Sequence, residues 1–399
     1  MNPEIRALFP GATAKVYLDV AAVGLVPDPV REAIEDHLRV RQLVGADKNE
    51  LWASVAATRK GFAELINADE DEVAITKNVS EGLNLFGVSL PWRTGDNVVL
   101  CPGLEHPNNI FLWYNLRTLH GIEVRTVEPR DGHLPVTSMS DAMDERTRLV
   151  TFPSISFAPG FLSDIEGLVS AAREVGALTL VDAAQSIGAV QTDVRALGID
   201  ALAVATQKSM MSLYGSGFLY IRREVADGLI PVHIARYGID LEGAHETAFS
   251  EGELRFKAGA LRFDLGNYNY LGMAAAGAAI ELLNRWGMGA VETHLRSLAA
   301  QLAAALLDLG LPVVGGPPGS HLAHIVSVGQ SGGGRHYTAD DPAMNALHQY
   351  LMENGVQHSV RSGVLRLSVG VHNDETDIDR AVELAKRWIR TTGYSRRRA

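Results

Sequence analysis

A single cysteine, Cys101, stands in 399 residues. One thiol closes no disulfide within the chain, so the natural home is a reducing compartment. No apolar run reaches membrane-spanning length. The first residues, MNPEIRALFPG, carry neither the basic nor the apolar region of a signal peptide. The expectation is a soluble cytoplasmic protein. Basic residues are in deficit, with 36 Lys and Arg against 47 Asp and Glu, a formal net charge of −11. That argues against a nucleic-acid or anionic-membrane partner. The tail Arg396-Arg397-Arg398 reads as a frayed end. No Cys or acidic cluster accompanies His321 and His324, so no metal site is expected there. Ser331-Gly332-Gly333-Gly334 lacks the Lys and the spacing of a P-loop and reads as a flexible loop.

What is present is organised around Ala177 to Arg222. An apolar run, Leu178 to Val181, ends in Asp182, and a second, Ala201 to Ala205, ends in Gln207-Lys208. The turn Tyr214-Gly215-Ser216-Gly217 leads into a third, Phe218 to Ile221. Short apolar runs of this kind read as strands of a buried sheet. Ligands of open α/β sheets sit at the carboxyl ends of strands, and here one end offers a carboxylate and the next an amine. A Lys amine forms a Schiff base with an aldehyde cofactor, and an Asp holds a protonated pyridine nitrogen by charge attraction. Those are the two anchors of pyridoxal 5′-phosphate (PLP). Strand-end Asp and solvated Lys residues are each commonplace. The two together, one crossover apart and followed by a Gly-rich turn, point to the cofactor.

At these residues the chain resembles a known family. VDAAQSIGAVQTDV followed by ATQKSMMSLYGSGFLYI is similar to the class V aminotransferase group of fold-type I PLP enzymes. That group includes cysteine desulfurases, selenocysteine lyases and an isopenicillin epimerase. Its usual pattern is close to D-x-A-Q-S-x-G, then H-K, then G-x-G. The resemblance extends from YLDVAAVG near the start to VLRLSVG near the end. It implies an α/β chain with the fold-type I PLP-dependent transferase fold: a large domain with a mostly parallel central sheet, and a smaller C-terminal α+β domain. With the shift to Ala-rich helix after Leu271, the expected division is an N-terminal segment at 1–20, a PLP-binding domain at 21–270 and a small domain at 271–399.

The resemblance also assigns residues. Lys208 is the Schiff-base and catalytic amine and Asp182 the partner of the ring nitrogen. The phosphate falls at the strand-to-helix turn Lys77 to Asn84, through the Val79 backbone and Ser80. A helix N-terminus suits an anion there, and Ser80 is also a fair N-cap candidate. Cys101-Pro102-Gly103-Leu104-Glu105-His106-Pro107-Asn108-Asn109 resembles the family's E-H-x-x-N turn, whose His stacks on the ring and moves protons. Relatives carry an Asn where Phe157 stands, a Ser at Ala205 and a His at Gln207. Gln185 still reaches the cofactor's phenolic oxygen if its amide donates, and Gln207 keeps a donor for the phosphate. Asn267 stands where relatives have a Thr that reaches the phosphate of the neighbouring subunit, which implies a homodimer. Arg366, on the strand Val364 to Val369, is the expected clamp for the substrate's α-carboxylate, with Arg361 a second cation near the cleft.

The expected partner is an amino acid. The same residues serve transamination, which is the first choice, and also epimerisation or a β-elimination such as C–S cleavage. A non-catalytic module that binds ligands on this fold is a further alternative. Desulfurases that pass sulfur as a persulfide need a Cys in the loop before the R-x-S strand. The segment from Val328 to Arg366 contains none.

Overall fold

Apolar runs bounded by turn residues become the strands of the central sheet in the computed structural model, which describes residues 3–241, 254–332, 334–335 and 337–394. Glu251 to Glu253, Gly333 and the Arg396-Arg397-Arg398 tail lie outside the described residues. The strands are β1 (Val73–Thr76), β2 (Asn97–Leu100), β3 (Glu123–Thr126), β4 (Thr147–Pro153), β5 (Leu178–Asp182), β6 (Ala201–Ala205) and β7 (Gly217–Ile221). They form one sheet in the order β1-β7-β6-β5-β4-β2-β3. Within it only β7 runs antiparallel to its neighbours, β1 and β6. β6 and β7 are buried along their whole length. That is why they read as continuous apolar runs rather than alternating ones.

Helices cover the sheet. α1 (Asp28–Leu43) starts with Pro29 in its first turn, where a missing N–H costs nothing. α2 (Lys48–Ile66) is capped by the Asp47 carboxylate. α3 (Val79–Ser89) packs on β6 and β7. Gly82 permits that approach, because a Cβ there would lie 3.0 Å from the Ala203 Cβ. The N-cap of α3 is Asn78, whose side chain accepts from Glu81 N (2.9 Å), and not Ser80. Both residue types cap well. The helix begins two residues earlier than a Ser80 cap requires, because Asn78 is the last residue in extended conformation.

α4 (Tyr270–Trp286) packs against α1 and α2, whereas α5 (Met288–Asp308) packs on the C-terminal helix α7 (Glu375–Thr392). On that packing we propose that the large domain ends at Gly287, the C-cap of α4, rather than at residue 270. The small domain holds a three-stranded antiparallel sheet, β8 (Ile325–Gly329), β9 (Ser359–Arg361) and β10 (Val364–Ser368), in the order β9-β10-β8. Helix α6 (Pro342–Glu353) lies between β8 and β9 in the chain and packs on α7. β9 and β10 are joined by Ser362 and Gly363 alone, both at positive φ (47° and 84°). That is the two-residue turn whose twist matches a hairpin. α7 opens with an Asp374–Asp377 capping box and buries Ile378, Ala381, Ala385 and Trp388, the face its spacing predicts.

The N-terminal segment belongs to this small domain by contact. Val16–Tyr17 pairs in parallel with Val356–Gln357, and Asp19 bridges to Ser368. Arg6 forms an ion pair with Asp377 (2.5 Å). Among the described residues no helix is long and apolar enough to cross a membrane.

Candidate active site

β5 delivers Asp182 at its last position, in register with Pro153 of β4 and Ala203 of β6. Asp182 is buried. Burial raises its pKa, and the Ala184 N–H on Oδ1 (2.9 Å) and the nearby Lys208 charge pull it back. Oδ2 has no hydrogen-bond partner among the described residues. Lys208 follows β6 in a turn closed by Thr206 N to Ser216 O (3.1 Å) and Met211 N to Lys208 O (2.8 Å). Burial pulls the Lys208 amine down to about 8, with Arg366 and Arg361 adding to the effect against the opposing pull of Asp182. An amine near 8 is part neutral at physiological pH and therefore nucleophilic. Residues 21–24 lie across this turn. Gly24 N donates to Gln207 O (2.8 Å), and a Cβ on Gly24 would stand 2.2 Å from Lys208 O. Only glycine fits there without moving the Lys208 backbone.

His106 and Phe157 face each other edge to face at 5.1 Å. The Asn108 N–H donates to His106 Nδ1 (3.3 Å), which leaves the ring proton on Nε2. Phe157 N donates to Leu104 O (3.0 Å), which ties the two turns together. Glu105, which the sequence reading passed over, is buried beside them. Burial, and then the neighbouring Asp182, raise its pKa well above the ordinary carboxylate value. Its Oε1 accepts from Asn109 Nδ2 (2.7 Å). Gln185 donates Nε2 to Ala21 O (3.0 Å), which engages one of its two N–H groups; its Oε1 has no partner among the described residues.

Arg366 reaches the same cleft from the small domain. It is 1% exposed and forms no ion pair among the described residues. One terminal nitrogen donates to Phe157 O (2.8 Å), the guanidinium lies 5.2 Å from the Phe157 ring, and Nε is unpartnered. Burial and the nearby Arg361 pull it down to about 9, still a cation at neutral pH. Arg361 itself donates to its own strand at Val360 O (2.8 Å) and stacks on Tyr337.

The expected phosphate residues divide. Val79 and Ser80 open α3, whose start lies against β7. A Cβ on Gly217 would stand 3.2 Å from Asn78 Cα and 2.5 Å from Val204 O. Gln207 sits at the end of β6, and its side-chain amide has no hydrogen-bond partner among the described residues. Asn267 stands apart. It is exposed, at φ 32°, and accepts from Tyr237 OH (3.0 Å). The adjacent Asn269 donates to Gly215 O (3.1 Å), which holds that turn beside the segment that follows Lys208.

This donor set fits PLP. A part-neutral buried amine, a buried carboxylate with a bare oxygen, an imidazole face and a helix N-terminus are the groups that an aldehyde, a pyridine nitrogen, a ring and a phosphate require. Among the described residues no cluster of three or more metal-ligating side chains occurs.

A family model described as Aminotransferase class-V matches residues 16–381. The chain is similar to a probable cysteine desulfurase of Methanothermobacter thermautotrophicus, 34% identical over 322 residues, which cover 79% of this chain and 78% of that protein. It is similar as well to an uncharacterized aminotransferase, YcbU, of Bacillus subtilis, 29% identical over 308 residues, covering 77% and 80%. Among solved structures, the apo form of a cysteine desulfurase from Thermococcus onnurineus NA1 superposes with a TM-score of 0.83 at 26% identity, covering 97% of this chain and 98% of that one. That likeness bears out the fold that the family resemblance implies.

Proposed function

Because the chain belongs to the class V aminotransferase family, and is thereby a PLP-dependent enzyme, we propose that its reaction is transamination of an α-amino acid. Bound PLP supplies the electron sink that makes the α-proton acidic. The chain's own residues do the rest. Arg366 takes the substrate carboxylate on Nε and its second terminal nitrogen, since the first is held by Phe157 O. Lys208 Nζ would hold the cofactor and, when free of it, would take and return the α-proton. Asp182 Oδ2 keeps a proton on the pyridine nitrogen, and the His106 ring covers one face of the site. The N–H groups at the start of α3, with Ser80 and Gln207, hold the phosphate.

The observation that carries this reading is Arg366. A cation 1% exposed, with no carboxylate partner among the described residues and its Nε bare, is costly unless an anionic ligand completes it.

A second reading has its own support. The relative that is 34% identical is called a probable cysteine desulfurase, which favours C–S cleavage. In this chain the β9–β10 connection is two residues long and has no cysteine, and Cys101 is fully buried. Sulfur would therefore leave as sulfide or a small persulfide and not on the protein. The test is a single turnover of the holoenzyme with a panel of L-amino acids. Transamination gives one oxo acid and one pyridoxamine 5′-phosphate per site. Sulfide, or pyruvate with ammonia, and no pyridoxamine form would replace it by the lyase reading.

A further inference from the structure

One face of the small domain's sheet turns toward the large domain. Strand pairing sets Ser359 and Ser327 on either side of Arg366, and Asp19 and Ile325 on either side of Ser368. Paired residues, and residues two apart on a strand, point the same way, so these side chains share one face. Its contacts identify it. Arg366 donates to Phe157 O (2.8 Å), and Ser327 Oγ to Pro159 O (2.7 Å). Ser368 Oγ accepts from Ala21 N (2.9 Å).

The two serines on β8 and at the end of β10 are thus satisfied. Three buried atoms on the same face are not. Arg366 Nε, Ser359 Oγ and Asp19 Oδ1 have no hydrogen-bond partner among the described residues. Asp19 is buried and forms no ion pair among those residues. Burial raises its pKa, and Ser359, Arg366 and Arg361 pull it back. A carboxylate therefore stands near the Arg366 guanidinium without engaging it. Direct engagement would occupy the fork that a ligand's carboxylate needs. A carboxylate set back offsets part of the cost of burying the cation and leaves the fork open.

We propose that Asp19 is the resident counter-charge of Arg366, placed to weaken the arginine's hold on a carboxylate without taking its place. The assignment rests on the reading of Arg366 given above. In transamination the amino acid and the oxo acid carry the same carboxylate. A tighter grip on both lowers KM without speeding the chemical step, and it slows release of the product. Arg361, a second cation near Arg366, pushes toward a tighter grip, and Asp19 opposes it.

The test titrates the cofactor absorbance of the holoenzyme with L-alanine against ethylamine, which lacks only the carboxylate. Propionate, which has the carboxylate and no amine, serves as competitor. Asp19→Asn removes the charge and keeps the shape. It should tighten L-alanine and propionate about threefold or more and leave ethylamine unchanged. Ser359→Ala removes a hydroxyl and no charge, and it should move none of the three. Unchanged or weaker L-alanine binding in Asp19→Asn, equal tightening of ethylamine, or the same tightening in Ser359→Ala would overturn the assignment. Asp19→Ser removes the same charge with a smaller group. If thermal unfolding finds neither Asp19 variant folded, Asp19 is structural and the assignment fails. Arg366→Met separates this assignment from the clamp. It should abolish the preference for L-alanine over ethylamine. A preference that persists would overturn the clamp and this assignment together; a lost preference beside an unmoved Asp19→Asn would overturn this assignment alone.

Discussion

Lys208 owes its reactivity to its surroundings. Its amine is drawn to about 8 by burial and by two arginines, against the pull of Asp182. Only the unprotonated amine attacks an aldehyde. Capture of pyridoxal 5′-phosphate by the apoenzyme should therefore accelerate about tenfold per pH unit below about 8 and level off above it, as followed by stopped-flow absorbance. Lys208→Ala should abolish both capture and turnover, with no borohydride-fixed cofactor found by mass spectrometry. Cys101 is the opposite case. Burial, then Glu105 and Glu128, push its thiol up to about 12, so it is inert. Cys101→Ala should leave turnover within a few-fold of the parent, about 1 kcal/mol or less in barrier. A sulfur adduct on Cys101 after turnover with cysteine, joined to loss of activity in the variant, would contradict that. Asp182, Lys208, His106 and Arg366 were legible in the sequence because each ends or occupies a strand or turn in a recognisable motif. The burial of Glu105 was not: its place in the E-H-x-x-N turn was legible, but its unpartnered Oε2 is a matter of tertiary packing, which no local pattern encodes.

Elements were legible in proportion to how locally they are specified. β5 and β6 keep the bounds their apolar runs suggest, and α7 buries the face its spacing gives. The start of α3 was harder, because Asn78 and Ser80 are equivalent caps on paper. The turn after β1 also depends on a distant partner. Asp264 accepts from Ile75 N (2.9 Å) on β1, from Arg59 on α2 (2.7 Å) and from Tyr268 OH (2.7 Å), all within the core. Arg59 also donates to Val73 O (2.6 Å). Arg59→Met would leave the Asp264 charge buried and unpaired. A loss of about 3–5 kcal/mol is expected in denaturant unfolding, with cofactor retention falling as the phosphate turn loosens. A loss well under 1 kcal/mol would contradict this.

At the scale of the molecule, the exposed turn at Asn267 and the 67%-exposed Tyr214 of the neighbouring turn are surfaces that a second copy would cover. With the resemblance that places Asn267 against a partner's phosphate, we propose a twofold dimer. Sedimentation should find a dimer, and Asn267→Ala should weaken cofactor affinity while leaving the dimer intact; an active, PLP-loaded monomer would remove the claim. The pairing of Val16–Tyr17 with Val356–Gln357, and of Arg6 with Asp377 and His372 O, 366 residues on from it, was illegible because nothing local announces so distant a partner. It has a consequence for the order of events during synthesis. Residues 6–17 leave the ribosome long before the strands and helix that receive them exist. The central sheet is complete by Ile221, so it has the chance to assemble first. Val16–Tyr17 must wait until residues 356–377 have been made. Arg366 comes with that late partner, so on the proposed roles the cofactor residues of the central sheet would be in place before the carboxylate clamp.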